Sequence, residues 1–293
     1  MKNSIFSTFA AVAFMGCAAF AQEAAPAAPA EAEQEEVATE DEKAWSVEIG
    51  LQIDAKDSSD GMIGNPDPIF TDSVQFNYDL NDTNSVYANL TRMIDLTDYN
   101  GKETGYNHDR QFQCVEMDYL VGYIHTFEGI TGIGDLSVEL NIGYNDYQGM
   151  TDIPDEEIPA ALILTCDNLL DSEVWTLSPY AEFDYDIRLN DVYGQFGFSA
   201  AKAVSDEVVL SLENNWYWGS THHNRDAYDY DKNAVNATEF ILTAEITLND
   251  YATLAPYVAM SVPVRDEVRQ CWKDDENNNK TNFWCGVALN FAF

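Results

Sequence analysis

From Trp45 to its last residue the chain alternates apolar and polar side chains with a period of two. That rhythm decides most of what it can fold into. Trp45, Val47, Ile49, Leu51 and Ile53 interleave with Ser46, Glu48, Gly50, Gln52 and Asp54. The same beat returns in Val74, Phe76, Tyr78 and Leu80, in Leu136, Val138, Leu140, Ile142 and Tyr144, and in Phe240, Leu242, Ala244, Ile246 and Leu248. A two-residue period puts one set of side chains on each face of a β-strand. Candidate strands cover 45–54, 70–80, 84–96, 112–127, 134–147, 156–166, 174–187, 190–203, 206–218, 236–249, 252–264 and 281–293. The sixth is the least regular, because Pro154 and Pro159 flank or enter it and proline is foreign to a central strand. An even number of strands keeps both termini on one side of a membrane, so the expectation is about twelve.

Two further features separate a membrane barrel from a soluble sandwich. Strands of ten residues or more exceed the usual five or six and match the roughly 9–11 tilted residues that cross a bilayer. The joins also alternate. Asn81 to Thr83, Val204-Ser205 and Asp250-Tyr251 are tight, whereas those after the first, third, ninth and eleventh strands are long and Asp/Asn-rich. The join near Leu189 breaks this rule by being short on the outer side. Short turns on one side and long loops on the other mark an outer-membrane barrel. The expected fold class is therefore all-β: a transmembrane antiparallel up-and-down β-barrel of about 12 strands, formed by 44–293. Its final strand carries Phe283, Val287, Leu289, Phe291 and Phe293 on one face. Phe291 and Phe293 are the expected C-terminal signal for the barrel-assembly machinery.

The first residues set the compartment. Lys2 precedes an apolar run from Ile5 to Ala21, and Ala19-Phe20-Ala21 fits a small-x-small cleavage site, so 1–21 reads as a signal peptide. The run is too short to span a membrane as a helix. Phe14-Met15-Gly16 before Cys17 resembles a lipoprotein signal, but Phe14 is a poor substitute for the leucine-like residue that signal requires. Residues 22–43 are rich in Ala, Pro and Glu without hydrophobic periodicity, the composition of a disordered acidic periplasmic segment. The expected location is the cell outer membrane, with its lipid bilayer as the first partner.

With 51 Asp+Glu against 14 Lys+Arg, the net charge of −37 repels nucleic acid. In a membrane barrel the polar face points inward. That assigns Glu48, Asp79, Glu116, Asp118, Glu139, Glu182, Asp184, Asp186, Glu213, Glu239 and Glu245 to the lumen, with Arg188 as the clearest inward cation. Such a lumen suits passive diffusion of small cationic or neutral solutes. The alternatives are a closed barrel with a structural or adhesive role through its acidic loops, and acidity that merely suits a salt-rich habitat.

No catalytic, cofactor or metal motif stands out. His108 beside Asp109 could form an acid/base pair at the rim and His125 has no evident serine partner; neither arrangement is specific to an enzyme. His222-His223 with Asp226, Asp229 and Asp231, and Asp274-Asp275-Glu276, lack the spacing of a calcium loop. Cys114, Cys166, Cys271 and Cys285 follow the signal in a disulfide-permissive compartment. A Cys271 to Cys285 bridge would close a loop of about 15 residues, worth about 3 kcal/mol in the chain-entropy model. Pairing of Cys114 with either remains open.

The stretches Val86-Tyr87-Ala88-Asn89 to Ile94-Asp95-Leu96, Val115-Glu116-Met117-Asp118-Tyr119 with Gly122-Tyr123, Leu177-Ser178-Pro179-Tyr180 with Asp184-Tyr185-Asp186, Ala255-Pro256-Tyr257-Val258 and Trp284-Cys285-Gly286-Val287 together resemble outer-membrane porin-type channels, and most narrowly the TorF-type porins. The resemblance implies a channel and supplies no catalytic residues. The long acidic loops and the Ala/Pro/Glu segment depart from it.

Overall fold

The computed structural model describes residues 44–59, 61–65, 67–97, 113–130, 132–147, 156–167, 169–171, 175–274 and 278–293. The signal peptide, the acidic segment 22–43 and the His108-Asp109 pair lie outside the described residues. In chain order the elements are β1 (Trp45–Asp54), β2 (Asp57–Ser59), β3 (Met62–Asn65), β4 (Ile69–Asn81), β5 (Asn84–Asp95), β6 (Gln113–Ile130), β7 (Gly134–Tyr147), β8 (Glu156–Glu157), β9 (Pro159–Asp167), β10 (Leu170–Asp171), β11 (Thr176–Asp186), β12 (Asp191–Ala203), β13 (Val208–Gly219), α1 (Thr221–Tyr228), β14 (Ala234–Asn249), β15 (Ala252–Pro263), α2 (Asp266–Asp274) and β16 (Asn282–Ala292).

Twelve of these strands form the wall: β1, β4 to β7, β9 and β11 to β16. Each pairs antiparallel with the next, and β16 pairs back onto β1 through Ile49↔Phe291 and Ile53↔Val287. Phe293 extends this seam, its amide donating to the Val47 carbonyl at 3.0 Å and its carbonyl accepting from the Val47 amide at 3.2 Å. Closure leaves no free edge, the condition for carrying strands through a membrane. The sixth wall strand is real despite its proline. Pro159 is its first residue, where a missing amide costs least, and β9 pairs with both β7 and β11.

The pleat sorts side chains as the alternation predicts. Phe76, Val121, Leu140, Phe183, Leu212, Leu242, Val258 and Phe283 stand exposed on the outer surface, the place for an apolar belt. Gln52, Asp54, Glu116, Glu182, Asp184, Asp186, Asn215 and Glu239 are buried. The short join near Leu189 is closed by Asn190 in the left-handed region (φ 54) and by the Asp186 carboxylate, which accepts from the Leu189 amide at 2.7 Å.

Two long joins contain helices that the two-residue rhythm does not announce. Ser220 caps α1, its hydroxyl accepting from the His223 amide at 3.2 Å. In α2, Asp266 and Glu267 in the first turn and Lys273 in the last complement the helix dipole. Ala227 and Tyr228 of α1 and Val268 and Trp272 of α2 bury one another together with Met62, Tyr230, Ala234 and Ala237.

Candidate functional site

Arg92 and Lys202 are the only Lys or Arg in the twelve wall strands. Both face outward among the described residues. Arg92 pairs with Asp72 across β4 and β5, and the Lys202 ammonium stands 5.1 Å over the Trp175 ring. Asp72 shares that outward face, and the opposite face carries most of the carboxylates. Glu116, Glu182, Asp184, Asp186 and Glu239 are buried there; Glu48, Asp118, Glu139, Glu213 and Glu245 are half-buried, and Asp79 is exposed at the turn.

The partners that can be named for these acids are neutral. Glu48 accepts from Asn77 at 2.9 Å, and Glu139 accepts from Asn141 at 2.9 Å and from the Tyr87 hydroxyl. Gln195 donates to Glu182. Tyr217 at 3.0 Å and Asn215 at 3.4 Å donate to Glu239, and Tyr147 donates to Glu157 at 3.0 Å. A hydroxyl or amide donor satisfies a carboxylate oxygen without cancelling its charge. An arginine would have done both.

Three of the inward tyrosines share a geometry. Tyr87 is paired in register with Gly122, Tyr180 with Gly197 and Tyr257 with Gly286. At Gly122 and Gly286 the ring lies over the glycine: a Cβ there would stand 2.3 Å from the Tyr87 ring and 2.6 Å from the Tyr257 ring. In all three the hydroxyl reaches a polar group two strands away. Tyr87 donates to Glu139, Tyr180 to Asn215 and Tyr257 to Asp54. At Gly122 and Gly286 the missing Cβ is what opens the path.

The inner surface is not polar all round. On β14 to β16 it is built from Ala237, Ile241, Ala255, Ala259, Trp284 and Ala288, most of them buried. These residues alternate with the inward Glu239 and Glu245 of β14, Tyr257 and Ser261 of β15 and Asn282 of β16, so the sector is mixed rather than wholly polar.

Other candidates lie elsewhere. Arg188 stands in the turn between β11 and β12, paired with Glu156 rather than projecting from a strand. The candidate bridge between Cys271 and Cys285 is not formed, and none of the four described cysteines is in a disulfide. Its physical reason is orientation: Cys271 packs within the helical cap with its Sγ 3.8 Å from the Ala227 carbonyl, whereas Cys285 is exposed on the outer face between Phe283 and Val287. His125 is held by Asn84 at 2.9 Å and by the Phe127 ring. His223 Nδ1 meets the Asp191 carboxylate at 2.8 Å, tying α1 to the rim of β12.

No protein-family model matches the chain, and no curated protein matches it in sequence. Its fold is similar to that of the COG4313 outer membrane channel from Pseudomonas putida F1, with a TM-score of 0.51 and 11% identity over 85% of this chain and 95% of that one. The KdgM porin and the NanC porin align over 85% of this chain and 99% of theirs, at TM-scores of 0.45 and identities of 6% and 9%. At 11% identity what the chain shares with the COG4313 channel is the fold alone, a closed antiparallel barrel.

Proposed function

We propose that the protein is an outer-membrane channel for passive diffusion of small solutes, favouring cations, as porins of the TorF type would be if their lumen were acidic. The observation that carries this reading is the uneven charge of the wall: most of its carboxylates point inward, whereas its two cations point outward, one of them beside the outward Asp72. At about 10 Å and a water-like dielectric, one carboxylate changes the energy of a monovalent ion by only about 0.4 kcal/mol, less than RT. Selectivity therefore needs several acids acting together. Glu116, Asp118, Glu139, Glu182, Asp184, Glu213, Glu239 and Glu245, on β6, β7, β11, β13 and β14, supply that number.

The deciding experiment is a planar-bilayer recording across a KCl gradient. The expected result is discrete conductance steps with a reversal potential on the potassium side. Absence of conductance from folded barrels, or chloride preference, removes the reading. The second reading is a closed barrel acting through its loops, favoured by the burial of Met62 and Ile63 inside the cap. Folded barrels that pass no ion would support it.

A further inference from the structure

After Asp54 the chain does not run out over the rim. The β2–β3 hairpin turns inward, and Met62 and Ile63 at its turn are each 1% exposed. Ile63 packs on Ala259 and Trp284, inward residues of β15 and β16, while Met62 joins Ala237 of β14 under Trp272 of α2.

Polar contacts fix the same seat. Asn278 grips the Ile63 backbone from both sides, accepting from its amide at 2.9 Å and donating to its carbonyl at 3.1 Å. The Gly61 carbonyl accepts from the Ser261 hydroxyl and, at 3.4 Å, from Asn282. Gly61 has φ +76°, and a Cβ there would stand 3.1 Å from the Ser261 Cβ and 3.4 Å from the Ala237 Cβ. The small inward residues of β14 and β15 leave the room that the hairpin fills. At its base Asp57 is paired in register with Asn65, which closes the hairpin.

Resting on the channel reading, we infer that the β2–β3 hairpin is a built-in half-plug. Seated on the small inward residues Ala237, Ala259 and Ser261 of β14 and β15, it confines passage to the remaining wall, whose inward acids run from Glu116 on β6 to Glu245 on β14. Asp57, at the base of the hairpin, adds a carboxylate to the resulting constriction, which admits inorganic monovalent cations and small amines and rejects anions. The feature does more than narrow the bore: it covers the apolar sector, so a solute meets mainly acids, tyrosines and amides.

The test uses the full-length barrel and two variants, each first checked for a folded, heat-modifiable band. In the first, residues 58–64 are replaced by a short Gly-Ser turn. In the second, Asp57→Asn keeps the hairpin and removes one charge. Recordings use KCl gradients and tetraalkylammonium ions of increasing size. The shortened variant should conduct at least twofold more and pass larger ammonium ions. Asp57→Asn should lower the potassium-to-chloride permeability ratio at least twofold while leaving the size limit unchanged. If the wild type conducts cations but shortening changes neither conductance nor size limit, the half-plug is wrong and the channel reading stands. If Asp57→Asn leaves the ratio unchanged, Asp57 is not at the constriction. A wild type that passes no ion, or prefers chloride, removes the channel reading and this inference with it. Should the shortened variant fail to fold, Asp57→Asn alone decides the charge claim, and Ala259→Trp, which fills the seat, decides the plug by the same size limit.

Discussion

The inward tyrosines show how a single side chain can link three strands. At Gly286 an added methyl would stand 2.1 Å from Asp54 Oδ1 and 2.6 Å from the Tyr257 ring. Asp54 is 4% exposed and held by Tyr257 and Gln52, so it has little room to retreat. Gly286→Ala should therefore destabilise the barrel by about 1–3 kcal/mol, the usual cost of overpacking. Tyr257→Phe should cost a similar amount by another route, the loss of a hydrogen bond to a charged group, worth about 1.5–3 kcal/mol. The two mechanisms separate in the double variant: with Tyr257→Ala in place, Gly286→Ala should cost less than it does alone. Urea unfolding of the detergent-refolded barrel, followed by tryptophan fluorescence, measures all three. A cost for Gly286→Ala that is the same in both backgrounds would argue against a shared notch. Alternation tells which face Tyr87 and Glu139 take, but the two are 52 residues apart and meet only because Gly122 of β6 lies between their strands. Register across three strands is invisible to a reading made one strand at a time. That is why the strand pattern was legible and the tyrosine contacts across it were not.

At the scale of elements, the wall strands were legible because each repeats one rule over about ten residues. In β9, by contrast, the run Ala160 to Leu164 is apolar throughout, and the alternation shows only in burial, with Ala161 and Ile163 on the buried side. The β2–β3 hairpin had no such length. Met62-Ile63-Gly64 is too short to show a period, and its partners Ser261 and Asn278 lie 200 residues or more away. The hairpin, which stands outside the wall strands, also carries a pH dependence. Burial, then the neighbouring Asp54 carboxylate and more weakly Asp118, push the Asp57 carboxyl from 3.8 up to about 7. A raised carboxyl favours the protonated form in the seated state, so seating is strongest below about pH 4 and weakens as pH climbs toward 7. Hydrogen-exchange protection of the Met62 and Ile63 amides should fall between pH 4 and 8 in the wild type. It should stay flat in Asp57→Asn, and a parallel fall in both would assign the effect to another group. For α1 the matching prediction is local. Ser220→Ala removes the cap, at a cost of about 1 kcal/mol, and should speed tryptic cleavage after Arg225 without altering barrel unfolding.

For the molecule as a whole, the question is whether fixed charge or bore size governs passage, and ionic strength separates them. Mobile ions screen a carboxylate over about 10 Å at 0.1 M salt but over only about 3 Å at 1 M. A barrel of twelve strands encloses a narrow lumen, narrower still where the hairpin is seated. At low salt the fields of acids on facing walls should overlap across that lumen and exclude anions throughout. At high salt each field should shrink to the wall, leaving a central path where chloride travels nearly as freely as potassium. The permeability ratio from reversal potentials should therefore be largest near 0.05 M KCl and should decline toward unity near 1 M. Size exclusion of tetraalkylammonium ions, which depends on bore and not on charge, should stay constant over the same range. Glu139→Gln combined with Glu182→Gln should flatten the salt dependence without changing the size limit, because both acids face inward and accept hydrogen bonds that glutamine can replace in part. A ratio that does not move with salt would mean that the inward carboxylates are neutralised in place. Selectivity, if any, would then come from the shape of the passage alone.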